Sequence, residues 1–380
     1  MVATRRRPVL WIGLALFSHA TVSSLVAVLD PTVGAATSVI HWQQTAPMVG
    51  AVAALAFGPR MALGVGTLLA LVGSLAAAIR PSAQLVSVSL GLLGHGVLLS
   101  CSVGALAAHW QHGEARARQI SLLAVWMGMT AWSLGSAGTW QPSTLQVVVL
   151  GAVTTALGAL AALVPPAPRT PAEAHDPPPG ALARSALITV GLLSPVVAGT
   201  AFRELVELGR LSPASAVREL GLGTAAELIA LLVALGFVLA HPRPDPRRLA
   251  AVSWVTVGAS LLFSPALLGI HADPALLVLQ MVTNLAEGWG IVLVPVMLSW
   301  ILAGLSARSC CALAGMVLSG VGIVRWAAPH VAQAAMDATH APRATVVFLA
   351  LVASVLAGTC GLWLGVSTRQ SGWRYVLARR

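Results

Sequence analysis

Apolar residues run through this chain in stretches of about twenty, each closed by a short polar or proline-containing break. The stretches fall at 8–29, 36–57, 60–79, 83–109, 118–138 and 143–165, then at 182–209, 214–240, 249–270, 274–303, 308–328 and 344–367. A helix rising 1.5 Å per residue needs about twenty residues to cover the ~30 Å hydrocarbon core of a bilayer. Only helices and closed barrels satisfy their own backbone in lipid, and these stretches lack the two-residue alternation of barrel strands. The pattern predicts an all-α membrane protein with about twelve transmembrane helices. The longest break, Pro165 to Gly180, is polar and proline-rich and separates six spans in 1–165 from six in 182–380, with a linker at 166–181.

Composition agrees with a lipid solvent. Apolar residues make up 57% of the 380 and charged residues 9%, where a soluble domain carries about a quarter charged. Arg5-Arg6-Arg7 before an apolar run has the look of a secretory signal, but eleven further spans follow and the segment reads as an uncleaved first helix. There is no lysine, so arginine alone sets the orientation. Arg5 to Arg7, Arg60, Arg116, Arg118, Arg169, Arg184, Arg243, Arg247, Arg248, Arg308 and the tail arginines share one side; Arg80, Arg210 and Arg343, with Arg203, Arg218 and Arg325 near span ends, lie on the other. The positive-inside rule then places both termini and the linker in the cytoplasm of a bacterial-type inner membrane. The net charge of +10 is thereby topological, and no nucleic acid is expected as a partner. Trp11, Trp110, Trp140, Trp300 and Trp363 near span ends match interfacial anchoring.

Enzymatic chemistry has no home in this chain. It lacks CxxC, GxGxxG, P-loop, HExxH and GxSxG sequences, and no loop is long enough for a catalytic domain. Cys101, Cys310, Cys311 and Cys360 have no metal-ligand spacing and read as small buried residues. The scattered Met127, Met129, Met281, Met297 and Met316 read as packing rather than a soft-metal path. No cofactor or metal is expected.

Ionisable residues inside a membrane normally face a bundle interior or an aqueous cavity. Span 1 carries His19, span 2 His41 with Gln43 and Gln44, and span 4 His95. Span 7 carries Arg203, Glu204 and Glu207, span 8 Glu219 and Glu227, span 10 Glu287 with Asn284, and span 11 Arg325. The interiors of spans 3, 6, 9 and 12 carry none, so every third helix is blank in both halves. Chance or a buried structural polar set would leave the same blanks. A cavity lined by the first and second helices of each triplet, with the third facing lipid, resembles the layout of the major facilitator superfamily, in which each six-helix half contains inverted three-helix repeats.

Local sequence adds to that resemblance. Trp42, Pro47, Gly50, Phe57-Gly58-Pro59-Arg60, Gly64 and Gly73 are similar to the superfamily's second and third helices with their glycine-and-arginine cytoplasmic hinge. Gly91-Leu-Leu-Gly94-His95-Gly96 with Ser102, Leu106 and Gly113-Glu114-Ala-Arg116-Ala-Arg118, then Leu123-Ala-Val-Trp126-Met127-Gly128-Met129 and Gly135, resemble the fourth and fifth helices of proton-coupled oligopeptide transporters. Gly290 to Pro295, Leu305-Ser-Ala-Arg308 and Gly315-Met316 echo that family's tenth and eleventh. About a third of the chain is covered. The departures are equally clear. The first-helix acidic-and-arginine motif is absent around Phe17-Ser18-His19, the fourth-helix lysine is replaced in a region reading Leu98-Leu99-Ser100-Cys101, and the hinge keeps Arg60 without its acidic partner. The extra helix pair of many bacterial members has no room in the linker.

These features nominate functional residues. Glu287 and Glu227, deep in spans 10 and 8, are proton carriers, with a structural hydrogen bond as the alternative for Glu287. His19, His41, Gln43, Gln44, His95, Trp126, Asn284 and Trp289 line the substrate cavity; the histidines either bind solute or proton, or are merely hydrogen-bonded. Arg203, Glu204, Glu207 and Arg325 form an outer gate or ion pair, or belong to solvated helix ends. Gly58 and Arg60 form the cytoplasmic hinge. The resulting expectation is a secondary active transporter of a small organic solute, peptide-like or amphiphilic, working by alternating access with proton coupling in the second half. Its partners are the lipid bilayer, the solute and protons. The rival reading is a non-transporting membrane scaffold that assembles with a protein partner.

Overall fold

The computed structural model describes residues 7–28, 37–79, 84–109, 115–136, 143–164, 176–208, 213–241, 245–261, 273–339 and 341–366. Their regular structure is carried by twelve helices: α1 (Arg7–Val28), α2 (Thr37–Phe57), α3 (Pro59–Ile79), α4 (Gln84–His109), α5 (Ala115–Ser136), α6 (Thr144–Leu163), α7 (Pro179–Leu208), α8 (Pro213–Ala240), α9 (Pro246–Leu261), α10 (Asp273–Ile301), α11 (Ala307–Thr339) and α12 (Pro342–Val366). Among the described residues, nine of these are long and apolar enough to cross a membrane unaided. The chain is a polytopic, all-helical membrane protein, as the apolar pattern predicts.

Local chemistry accounts for the helix ends. Proline opens α3, α7, α8, α9 and α12, where its missing N–H costs nothing and its fixed φ suits the first turn. Ser143 caps α6 through a reciprocal capping box with Gln146. Gly58 at φ +84° stops α2, donating its N–H to the Ala54 carbonyl at 3.0 Å, and Gly304 at φ +79° lies in the turn after α10. Side chains with a Cβ rarely adopt either conformation.

One boundary differs from the sequence reading. The eleventh span was expected to stop at 328, yet α11 continues to Thr339, a helix of 33 residues with Pro329 inside it. Its polar end stays helical through internal bonds: Gln333 Nε2 donates to Asp337 Oδ1 at 2.9 Å, and the His330 ring lies 2.9 Å from the Trp326 carbonyl. At 1.5 Å per residue α11 reaches about 50 Å, well beyond ~30 Å of hydrocarbon.

The helices pack into two compact units. The first comprises Met1–Val125, Trp140–Leu187 and Ile301–Gly322; the second comprises Trp126–Thr139, Ile188–Trp300 and Ile323–Arg380. In the first, α4 is central and touches α1, α2 and α3. A Cβ on Gly94 would overlap the backbone of Ala70, and one on Gly96 would overlap Ala46, so the two glycines flanking His95 let α3 and α2 press against α4. The start of α11 joins this unit as closely, with Gly104 against the backbone of Cys311 and Gly315 against the Pro47 carbonyl.

In the second unit, α9 and α12 cross where Ser354 Oγ donates to the Gly258 carbonyl. Ala201, Phe202, Ala328, Ala332, Val346 and Val347 join α7, α11 and α12 in a small-residue core. The four helices whose interiors were read as blank in ionisable residues pair alike in the two units, α3 with α6 and α9 with α12. Each also carries an exposed apolar stripe: Met61, Val65, Leu68, Val72 and Leu75 on α3, and Phe348, Val352 and Val355 on α12. In water such stripes would be association faces; in a bilayer they are the lipid-facing surface.

Candidate functional site

His19 and His95 lie far apart in sequence and meet in one cavity. It is about 170 Å³ in volume and lies within the first unit, with Ser18, His19 and Val22 from α1, Pro47 from α2, Leu92 and His95 from α4, and Leu318 from α11 on its walls. Ser18 and His95 are fully buried. Ser18 Oγ, His19 Nε2 and both ring nitrogens of His95 have no hydrogen-bond partner among the described residues. Buried polar groups in folded proteins are normally satisfied, so a cluster of open ones around a cavity marks a place for a polar occupant. The α1–α6 side of the same unit is satisfied by comparison, with Thr21 Oγ1 and Thr154 Oγ1 sharing a hydrogen bond at 2.9 Å.

The second unit holds the carboxyls. Asn284 and Glu287 on α10 are 8% and 7% exposed, and Glu227 on α8 is half-buried. The two helices cross at Gly288, where a Cβ would stand 3.1 Å from Glu227 Cα and 2.7 Å from Ala230 Cβ. One turn earlier, Asn284 Nδ2 would lie 3.0 Å from a Cβ on Gly223. Both acidic residues therefore belong to one tight helix crossing. On its other side Gly290 admits Val257 of α9 and Val196 of α7, which places α10 among α7, α8 and α9.

The other nominated residues are less assembled. Trp126 and Trp289 are half-buried, and Arg325 is exposed, well before the end of the lengthened α11. Gly58 and Arg60 flank the α2–α3 break, with Arg60 exposed. His41, Gln43 and Gln44 belong to α2, and Arg203, Glu204 and Glu207 to α7, but their side chains lie outside the described residues.

Three features escaped the sequence reading. Arg308 Nη2 donates to the Leu55 carbonyl, capping one of the last unsatisfied backbone oxygens of α2. Asp176, in the linker, accepts through Oδ1 from Ser306 Oγ and, at 2.9 Å, from Ser309 Oγ. Ser306 Oγ in turn accepts from the Ser309 N–H at 3.2 Å, so a carboxylate stands at the positive end of α11. Beside them Cys101, Cys310 and Cys311 are fully buried, as the sequence reading expected, with Cys311 Sγ 3.4 Å from the Cys101 carbonyl. Arg118 is only 6% exposed, and its Nε and Nη1 have no partner among the described residues. The serine and arginine positions at Leu305-Ser-Ala-Arg308 were visible as a motif; their targets, a carbonyl and a linker carboxylate, carry no sequence signal.

Among solved structures the chain is similar to the fucose:proton symporter FucP of E. coli, a major facilitator superfamily transporter, with a TM-score of 0.70 at 12% identity over 94% of this chain and 98% of that one. It is similar also to the human organic anion transporter MFSD10 (TM-score 0.69, 17% identity, 95% and 99% covered). The proton:xylose symporter XylE gives a TM-score of 0.56 at 14% identity, with 94% of each chain covered. No family model matches the sequence, and no curated protein matches it. At these identities the likeness defines the fold, and the chain has the major facilitator fold.

Proposed function

We propose that this protein is a secondary active transporter that moves a small organic solute across a bacterial-type inner membrane by alternating access, with both termini cytoplasmic. The observation that carries the reading is the cavity at Ser18, His19 and His95, whose polar groups stand open in a fold shared with three transporters. A scaffold that had lost transport has no use for three such residues gathered on the walls of one cavity. Such groups cost stability unless something binds them. Solute enters this cavity; the halves read from sequence, 1–165 and 182–380 joined by the linker, are kept as the moving parts, while each compact unit draws a segment from the other half, 126–139 in the second and 301–322 in the first.

Proton coupling is assigned to Glu287 and Glu227. Two of the similar structures are named proton symporters, and in this chain the deep carboxyls lie on facing helices. Carboxyls held deep in apolar helices are the groups that load and release a proton during alternation. Asn284, one turn before Glu287 and packed on Gly223 of α8, keeps the substrate-positioning role read from sequence. Arg203, Glu204, Glu207 and Arg325 retain the gate role read from sequence.

Alternation has a direct readout in the native thiols. In a Cys360→Ser background, Cys101, Cys310 and Cys311 are sealed where the start of α11 meets α2 and α4, and a maleimide reaches them only when that seal opens. Labelling much faster than global unfolding is the expected result. Thiols that stay protected until the protein denatures would sink the alternating-access reading. Coupling is tested separately, by proton-driven uptake in proteoliposomes of a solute found by thermal-shift screening: Glu287→Gln and Glu227→Gln abolish its pH dependence, and an unchanged dependence in both removes the assignment.

A further inference from the structure

The chemistry of the cavity walls narrows what binds there. Among the described residues that line the cavity, Ser18, His19 and His95 are polar, none bears a carboxylate, ammonium or guanidinium group, and the rest, including Val22, Leu92 and Leu318, are apolar. An ion placed among them would lose its hydration without gaining a counter-charge, a penalty of several kcal/mol. A neutral imidazole offers one donor and one acceptor, and serine hydroxyl offers both. The complementary group is one that also donates and accepts, which a hydroxyl does and a carboxylate or ammonium does not. At 170 Å³ the cavity is below the ~300 Å³ at which drug-sized sites begin.

Resting on the transporter reading, we propose that the cavity at Ser18, His19 and His95 binds a small, uncharged, hydroxyl-bearing solute with an apolar flank. Its hydroxyls bridge the two imidazoles and Ser18 Oγ, and its apolar flank lies on Val22, Leu92 and Leu318. A zwitterionic peptide is thereby excluded as the occupant, and an amphiphilic alcohol or polyol is favoured. The glycines that draw α2 and α3 against α4 hold His95 in place for this task.

The test uses three probes of matched size: 1,2-hexanediol, 2-hydroxyhexanoate and 2-aminohexan-1-ol, titrated calorimetrically into the full-length protein in nanodiscs. The diol is expected to bind at least about tenfold more tightly than either charged analogue. His95→Leu and Ser18→Ala should each weaken diol binding roughly tenfold, while His95→Gln, which keeps a donor and an acceptor, retains it. Should His95→Leu fail to fold, Ser18→Ala and His95→Gln decide the matter. Binding of the acid or the amine as tight as that of the diol, diol binding indifferent to Ser18 and His95, or no diol binding overturns the proposal. Each of these outcomes leaves the maleimide result untouched, so an error in the solute class and an error in the transport reading are told apart.

Discussion

The α1–α4 cavity and the α8–α10 crossing are both polar places in apolar helices, but they are built in opposite ways. At the first, Gly94 and Gly96 bring α3 and α2 against α4, and open space remains beside His95, with Gly96 and Pro47 among its walls. At the second, Gly223 and Gly288 lie between the helices themselves, so Asn284 packs on Gly223 and the α8 backbone at Glu227 packs on Gly288. One arrangement keeps room for a guest without charge, and the other keeps charge without room. The proposed binding site and the proposed coupling site are therefore distinguished by where a missing Cβ is placed.

The sharpest way to break that contrast is to fill the crossing. Gly288→Leu pushes α8 away from α10 and should destabilise the protein by about 3 kcal/mol or more, read as lost folded yield in a fluorescence size-exclusion profile. A well-folded variant would show that the crossing is loosely packed. Next in size, Glu287→Gln should cut proton-driven uptake about a hundredfold while leaving solute exchange without a gradient within about twofold. Loss of both together would merge the two sites into one.

Arg118 sharpens the comparison from the other side, as a buried guanidinium in the unit whose cavity is uncharged. Replacing a buried charge whose Nε and Nη1 have no partner among the described residues with an apolar residue of similar length relieves desolvation, so Arg118→Met should stabilise by about 1–3 kcal/mol and raise the melting temperature by several degrees. A fall in melting temperature would mean that the guanidinium is compensated. The smallest effect is expected at the α2 cap: Arg308→Ala removes one charge-assisted bond and should speed maleimide labelling of Cys101, Cys310 and Cys311 roughly fivefold. Unchanged labelling would remove Arg308 from the seal.

How much of this was legible in sequence follows from the range of each interaction. Span number and lipid-facing helices could be read because hydropathy is a property of consecutive residues, and the blank third, sixth, ninth and twelfth stretches became helices with exposed apolar stripes. The choice of His19 and His95 as cavity residues came from the same census, and the structure brings them to one cavity. Ser18 and Leu318 were missed there, since a serine or leucine in an apolar helix looks the same whether it faces a cavity or a neighbour. The end of α11 was placed too early because His330, Gln333 and Asp337 lower hydropathy without breaking a helix. The roles of Asp176 and Arg308 depend on what lies across a tertiary contact, which spacing along the chain does not encode.

That last contact has an evolutionary consequence. Arg308 grips a main-chain oxygen at Leu55, which every amino acid supplies, so position 55 is free to vary while position 308 is not. Across a set of relatives this bond would leave no correlated pair of substitutions, and a search for compensating mutations would find none at its acceptor. A seal anchored on backbone is thus invisible to methods that infer proximity from paired change, yet it tolerates drift on one of its two sides.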